Sequence, residues 1–221
     1  MKSEKYSGLV SLRKQCSKCI GLRNPAEPGL SQFDSEEIGP WSRLHGDQNA
    51  RVMVVGQDWG DVRYFQANKG LDNLRNPTML TLEKLLQVAG QNVSLQKYTA
   101  GNHGLFLTNA ILCLKSGGLQ AQVDRSWFGN CGTMFLRPQI EIVAPQVVVT
   151  LGQQAYEATT KAFGLHPGPF RQAVESEKGV SLDCGSQLFA VYHCGNRILN
   201  THRKYEEQVR DWQRIGAYLA K

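Results

Sequence analysis

Four short apolar runs constrain the fold of this chain more than any other feature. They are 52–55 (VMVV), 105–107 (LFL), 147–151 (VVVTL) and 188–192 (LFAVY). Each is typical of a strand that is buried on both faces. Because helical patterns lie between them, the runs predict a parallel sheet covered by helices on both sides. We therefore expect an α/β fold with three αβα layers around a central, mainly parallel four-stranded sheet.

The clearest helical pattern begins after Asn76, which can cap a helix with Pro77 at its first position. Apolar residues then recur every three or four positions, at Met79, Leu82, Leu85, Leu86 and Ala89. Gly90 would end this helix. Further helices are predicted over 131–143, 153–163 and 205–219. Residues 24–48 are predicted to form a long loop, and residues 164–186 a connection that can hold a short extra strand.

Length and composition favour a single domain over residues 1–221. The chain has 221 residues, of which 41% are hydrophobic, and this is enough to bury one full core. No apolar stretch approaches the roughly 20 residues of a membrane span, and the N-terminus lacks the apolar core of a secretory signal. We expect a cytoplasmic monomer with no membrane partner.

Four of the six cysteines form a pattern that indicates a metal centre. A CxxC pair is followed much later by two widely spaced cysteines, the set being Cys16, Cys19, Cys113 and Cys131. In a reducing compartment, cysteines favour roles as ligands or buried thiols over disulfides. The pattern predicts a four-thiolate site for a metal or an iron–sulfur cluster, with the N-terminal segment binding it. Cys184 and Cys194 are expected to be ordinary small residues.

Polar residues follow each apolar run, where a parallel sheet gathers its ligands. The segments are Gly56-Gln57-Asp58-Trp59-Gly60-Asp61, Thr108-Asn109, Gly152-Gln153 and His193-Cys194-Gly195. The Asp58 carboxylate, the Asn109 carboxamide and the His193 imidazole would therefore meet in one pocket.

The charge of the chain suits a polyanionic partner. Its formal net charge is +6, and its basic residues crowd both ends. The two sets are Lys2, Lys5, Arg13, Lys14, Lys18 and Arg23, and Arg197, Arg203, Lys204, Arg210 and Arg214. Each set is predicted to form a patch that faces phosphates.

In their joint order, these motifs resemble those of the uracil-DNA glycosylase superfamily, in particular its iron–sulfur, family 4-like branch. GQDWGD resembles the first motif, TNAILC the Asn-bearing strand, VVVTLGQQA the third strand and YHCG the terminal His motif. The resemblance runs from about Cys16 to the last helix. There are two departures. Cys194-Gly195-Asn196 stands where the branch has Pro-Ser-Pro, and Leu74 lies near the position of the aromatic that stacks on the base.

The resemblance implies an enzyme that hydrolyses the N-glycosidic bond of uracil, or of other deaminated bases, in DNA. Asp58 would stabilise the sugar cation and activate water, while His193 and the amides of the first loop would donate to the departing base. Asn109 would read the uracil edge. The remaining substrate contacts would come from Gly56, Gln57, Gly60 and Phe65, with Tyr64 and Trp59 as alternative stacking residues. Since no lysine is expected at the strand ends, we expect a monofunctional glycosylase without a Schiff base.

The resemblance also implies a cofactor and a partner. The four cysteines Cys16, Cys19, Cys113 and Cys131 would ligate a structural [4Fe–4S] cluster. The partner would be single- or double-stranded DNA containing uracil, with the nucleotide flipped out of any duplex. The residues closest to the DNA would be Gly195, Asn196, Arg197, Asn200 and Arg203.

Two other classes of function stay open from the sequence. The first is a nucleic-acid-binding module, stabilised by zinc or a cluster, that carries out no catalysis. The second is a nucleotide-processing enzyme that acts on small molecules. The first class predicts DNA binding without base release, and the second predicts activity on free nucleosides with little salt-dependent DNA binding.

Overall fold

A computed structural model describes residues 2–73, 75–95, 104–118 and 121–221. The helices are α1 (Lys2–Gln15), α2 (Pro40–Leu44), α3 (Val62–Ala67), α4 (Pro77–Val88), α5 (Arg125–Cys131), α6 (Arg137–Val143), α7 (Gln153–Ala162), α8 (Phe170–Glu175), α9 (Asn196–Thr201) and α10 (Tyr205–Leu219). The strands are β1 (Leu22–Arg23), β2 (Val52–Asp58), β3 (Leu105–Ile111), β4 (Leu114–Lys115), β5 (Val147–Leu151), β6 (Val180–Ser181) and β7 (Gln187–Val191).

The central sheet has the strand order β3-β2-β5-β7-β6. Its first four strands are parallel and correspond to the four apolar runs, while β6 pairs antiparallel with β7 at the edge. The predicted mainly parallel sheet is therefore confirmed. The fifth strand lies in the connection that was expected to hold a short extra strand.

The strands are apolar along their length because both faces of the sheet are covered. Successive side chains of a strand point to opposite faces. Val52 and Val54 accordingly pack in the core beneath α4 and α10, whereas Met53 and Val55 pack in the core formed with α1, α6 and α7. This arrangement confirms the three-layer αβα architecture.

Helix α4 follows the sequence prediction closely. The Asn76 side chain accepts from the Thr78 backbone N–H at 3.0 Å, and Pro77 occupies the first turn. A cap of this kind stabilises a helix by about 1 kcal/mol. Met79, Leu82, Leu85 and Leu86 form the buried face, as their spacing predicts.

The helix expected over 131–143 differs from the prediction. It begins at Arg125, where Asp124 accepts from the Ser126 N–H at 2.8 Å, and it passes through a π-helical segment at Gly132–Leu136 before α6. The physical reason is Pro138, which has no N–H to donate to the preceding turn and crowds it sterically. A π-helical turn accommodates the missing hydrogen bond and the steric crowding at Pro138.

The N-terminal helix and the helical segments inside the predicted loops were not anticipated. Helix α1 buries only Tyr6, Leu9 and Val10 as apolar side chains, and its Arg13 forms an ion pair with Asp34 at 2.8 Å. So short an apolar face gives a weak periodic signal. The predicted loop 24–48 contains a 3₁₀ turn and α2, and 164–186 contains α8 and β6.

A small ribbon joins the N-terminal CxxC segment to the main sheet. Strand β1 pairs antiparallel with β4, with Leu22 opposite Lys115. The Lys115 N–H also donates to the Gly60 carbonyl, just beyond β2, at 3.1 Å. The ribbon therefore connects residues near the cysteines to the loop that follows Asp58.

Within the described ranges, no helix has the length and apolar character needed to cross a membrane.

Candidate active site and four-cysteine site

The carboxyl ends of the parallel strands bring the three predicted catalytic-site residues to one edge of the sheet. Asp58 ends β2, Asn109 lies in β3 opposite Gly56, and His193 follows β7. Strands β3 and β7 are three places apart in the order β3-β2-β5-β7, at about 4.8 Å per place. Asn109 and His193 consequently flank the ends of β2 and β5 from opposite sides.

Asn109 is held against a glycine that the site requires. A Cβ atom at Gly56 would overlap the Asn109 Oδ1 and would lie 2.8 Å from the Trp41 ring. The Asn109 side chain is 2% exposed, and its Oδ1 has no hydrogen-bond partner in the described structure. A buried acceptor without a donor is costly, so this oxygen is suited to receive an N–H from a ligand. Trp41, from α2, was not foreseen because nothing in the local sequence links it to Gly56.

Asp58 is held on both of its oxygens. The Lys115 Nζ lies 3.1 Å from Oδ1, and the Gln57 Nε2 donates to Oδ2 at 2.6 Å. The side chains of Asp58 and Lys115 are 7% and 4% exposed. The expectation that no lysine would lie at the strand ends is therefore wrong. Lys115 arrives through the β1–β4 ribbon, a long-range pairing of two-residue strands with no signal of its own in the sequence.

His193 is arranged as a neutral hydrogen-bond donor. The Gly195 N–H donates to its Nδ1 at 3.0 Å, which leaves the proton of the neutral ring on Nε2. Burial lowers the pKa of His193, and the nearby Asp58 carboxylate raises it by a smaller amount. A pKa lowered from the ordinary value of 6.5 favours the neutral ring at pH 7. A Cβ atom at Gly195 would lie 2.9 Å from Nδ1, so this close contact favours glycine.

The structure separates the three aromatic stacking candidates. Phe65 is only 1% exposed and packs in the core, with its ring 5.7 Å from that of Trp59. The Tyr64 ring lies 5.1 Å from that of Trp59, and the Tyr64 hydroxyl donates to Asp72 at 2.5 Å. Tyr64 is partly exposed, whereas Phe65 does not reach the surface. Leu74 lies outside the described residues.

A basic cleft opens beside Gln57 and Lys115, the two residues that contact Asp58. It has a volume of about 770 Å³ and lies between α5, the π-helical segment, α7 and α9, with Gln57 and Lys115 among its lining residues. Three further cations line it, Arg125, Lys161 and Arg197, and we call the whole feature the basic cleft. The acidic residue in its lining is Glu157, which pairs with Lys161 at 3.5 Å.

The predicted DNA contacts fall into two groups. Gly195 precedes α9, on which Asn196, Arg197 and Asn200 are exposed, and Arg197 faces the basic cleft. Arg203 instead forms a bidentate pair with Asp211, at 3.0 and 2.7 Å. Several other cations of the predicted terminal patches are also held in ion pairs, namely Arg13, Lys14, Arg23 and Arg214. The terminal patches are therefore less available to phosphates than their sequence suggested.

The four predicted ligand cysteines surround one cavity. Cys16 follows α1, Cys19 lies three residues later, Cys113 lies between β3 and β4, and Cys131 ends α5. All four line a cavity of about 240 Å³ and are free thiols. Thus elements far apart in the sequence bring these four thiols to one cavity.

Burial and mutual repulsion disfavour ionised thiols at this four-cysteine site. Burial, with a smaller contribution from the neighbouring cysteines, raises the pKa of the Cys131 thiol to about 12 and also raises that of Cys113. The Asn130 amide donates to the Cys19 Sγ at 3.5 Å. Thiolates so close together need a cation to stay ionised, and ligation supplies one. As placed, no described group of three or more His, Cys, Asp or Glu side chains is arranged to hold a metal ion.

Two comparisons with known proteins bear on the identity of the chain. The model of the uracil DNA glycosylase superfamily matches residues 44–215, a range that contains Asp58, Asn109, Lys115 and His193. The chain is also 26% identical, over 229 aligned positions, to a protein of Pyrobaculum aerophilum named type-5 uracil-DNA glycosylase. That alignment covers 96% of this chain and 92% of the relative. Since the family model covers well over half of its length, the chain belongs to the uracil-DNA glycosylase superfamily.

Proposed function

We propose that this protein is a monofunctional DNA glycosylase that hydrolyses the N-glycosidic bond of uracil in DNA, leaving an abasic site for base-excision repair. The observation that carries the proposal is the placement of Asp58, Asn109 and a neutral His193 at one edge of the sheet, in a chain of this superfamily. The proposal treats residues 1–221 as one domain with an N-terminal cluster-binding segment.

Asp58 supplies the negative charge that the reaction needs. Cleavage of the bond develops positive charge on the sugar, as in glycoside hydrolysis. Lys115 and Gln57 each occupy one oxygen of the carboxylate, and a carboxylate has about four acceptor sites. Acceptor positions therefore stay available to face the sugar cation and to orient the attacking water.

Asn109 reads the edge of the base. Its unpartnered Oδ1 accepts the N3–H of uracil, and its amide nitrogen donates to O4. Cytosine presents an acceptor at N3 and a donor at N4, so the same amide would leave buried groups unpaired. Mismatched polar contacts of this kind give strong discrimination.

His193 stabilises the departing base. With Nδ1 occupied by the Gly195 N–H, the Nε2–H is the group that can donate to uracil O2 as negative charge develops there. A preorganised donor of this type contributes about 3–4 kcal/mol to transition-state stabilisation. Lys115 does not act as a nucleophile in this proposal, because its ammonium group is engaged with Asp58. The base is therefore displaced by water.

The basic cleft holds the DNA backbone. Arg125, Lys161 and Arg197 line the cleft that leads to Gln57 and Lys115, so a strand lying there would place its phosphates beside cations and its extruded nucleotide near Asp58. The nucleotide must leave any duplex to reach a site of this kind. In this proposal the cations of the basic cleft take the place of Arg203, whose guanidinium group is paired with Asp211.

The four cysteines are proposed to ligate a [4Fe–4S] cluster. The cavity that they line has a volume of about 240 Å³. This is more than a single zinc ion needs, since zinc binds cysteine sulfur at about 2.3 Å. When bound, the cluster would supply iron–sulfur bonds that tie α1, β4 and α5 together. Its role in this proposal is structural.

The test is incubation of the purified protein with an oligonucleotide that contains one uracil, followed by alkaline cleavage at abasic sites. Single- and double-stranded substrates are compared, with thymine and cytosine in place of uracil as controls. The proposal predicts a break at uracil alone, and a loss of this preference in Asn109→Asp. DNA binding without any break would favour a non-catalytic binding module. Release of bases from free nucleosides without action on DNA would favour a small-molecule enzyme.

A further inference from the structure

The ion pair between Lys115 and Asp58 carries an inference beyond base excision itself. The two side chains are 4% and 7% exposed, and their charged atoms lie 3.1 Å apart. Charges enclosed in this way interact more strongly than surface pairs, since less water screens them. We propose that Lys115 is a positioning residue that fixes the Asp58 carboxylate for attack on the sugar, an inference that rests on the proposed function.

The carboxylate is held from two directions. Lys115 binds Oδ1, and Gln57 donates to Oδ2 at 2.6 Å. With one contact only, a carboxylate can rotate about the bond to its Cβ, whereas contacts to both oxygens fix its plane. Misplacement of a reacting group by about 1 Å can cost about a hundredfold in rate. Contacts to both oxygens therefore give Asp58 a fixed alignment toward the sugar.

Lys115 itself stands on a rigid support. Its backbone N–H donates to the Gly60 carbonyl at 3.1 Å, and it pairs with Leu22 in the β1–β4 ribbon. Asp61 forms a further bridge to the Lys115 backbone. The lysine is thus anchored both to the loop after Asp58 and to the segment that follows Cys19. A side chain on such a support holds its charge in one place.

A purely structural role explains the pair less well. Replacement of a buried ion pair by apolar residues is often neutral for stability or even favourable. The stability of the fold alone would therefore give little reason for a charged residue at this position. Its contact with the carboxylate that faces the reaction gives a specific one.

The first test compares Lys115→Met and Lys115→Arg with the wild type in single-turnover excision. Lys115→Met is expected to lower the rate at saturating enzyme by about a hundredfold, with a smaller effect on DNA affinity. Lys115→Arg is expected to recover most of the rate, because a guanidinium can donate to the same oxygen. Lys84→Met, which removes an exposed charge from α4, is the matched control. An unchanged rate in Lys115→Met overturns the proposal.

A double-mutant cycle then separates positioning from a general effect on the fold. If Lys115 acts through Asp58, Lys115→Met should have almost no further effect in an Asp58→Asn background. An equal loss in both backgrounds overturns the proposal. Crystal structures of the wild type and Lys115→Met give a readout that is independent of activity. If the wild type releases no uracil, the proposed function fails, and a displaced Asp58 carboxylate in Lys115→Met still supports the positioning role, whereas an unmoved carboxylate overturns it.

Discussion

At the scale of single residues, the candidate site depends on close contacts that the sequence shows only in part. Asp58, Asn109 and His193 could be predicted because each follows or ends an apolar run, and strand ends gather ligands in a parallel sheet. Lys115 and Trp41 could not, because they reach the site through pairing and packing between distant segments. Residue types after a strand are visible in a sequence, but the partners of those residues are not.

The first prediction concerns the protonation of His193. Nuclear magnetic resonance titration should give a midpoint below 6.5, because burial disfavours the charged ring and lowers its pKa. Asp58→Asn should lower the midpoint further, since the Asp58 charge opposes the effect of burial. Because the pKa of His193 is lower in the folded than in the unfolded protein, the neutral ring contributes to the stability of the fold above about pH 6.5. This contribution is lost as the pH falls through the folded pKa. A midpoint above 7 would contradict the neutral-donor role.

The second prediction concerns the close packing at Gly56. Gly56→Ala places a Cβ against Asn109 and Trp41, and overpacking of this kind costs about 1–3 kcal/mol. The free energy of unfolding from urea titration should fall by this amount, and uracil excision should fall with it. Gly8→Ala is the control, since nothing lies within 4 Å of its added Cβ and the position is inside α1. Equal stability of the two variants would refute the close contact.

At the scale of the elements, the sequence predicts regular segments well and irregular ones poorly. Helix α4 has a cap, a proline at its start and a clear apolar period, and it forms as expected. The π-helical segment before Arg137 and the β1–β4 ribbon have no such local signal. Both bear on the proposed function, since the first lines the basic cleft and the second carries Lys115.

The third prediction concerns the basic cleft as a surface for phosphates. Single replacements of Arg125 and Lys161 by Ala should weaken DNA binding to a similar extent for all sequences. For single strands, each should also reduce the slope of log affinity against log salt by about 0.7, the value for one lost contact. Lys84→Ala removes an exposed lysine from α4 and is the control. Unchanged slopes in the cleft variants, with a reduced slope for Arg203→Ala, would place the DNA on the C-terminal patch instead.

At the scale of the whole molecule, the four-cysteine site and the candidate active site belong to one connected structure. Cys113 follows β3, the strand that carries Asn109, and it precedes β4, which carries Lys115. Strand β1, which pairs with β4, follows Cys19. Loss of whatever the thiols bind should therefore disturb both the N-terminal segment and the surroundings of Asp58.

The fourth prediction tests this connection. Protein purified without oxygen should be brown and should contain iron and acid-labile sulfide. Cys113→Ser should lose iron, lower the melting temperature and reduce uracil excision, because the ribbon that carries Lys115 is released. Cys184→Ser is the control, since Cys184 does not line the cavity of the four cysteines. Stoichiometric zinc without iron would contradict the cluster assignment.

The most direct test of the account is a side-by-side measurement of single-turnover uracil excision and DNA affinity in Asp58→Asn. Asparagine keeps the size and much of the hydrogen bonding of Asp58 but removes the charge that stabilises the sugar cation. The account predicts that the rate of excision falls far more than the affinity for uracil-containing DNA, which marks an interaction made in the transition state. Excision by Asp58→Asn at the wild-type rate, with unchanged affinity, would contradict it.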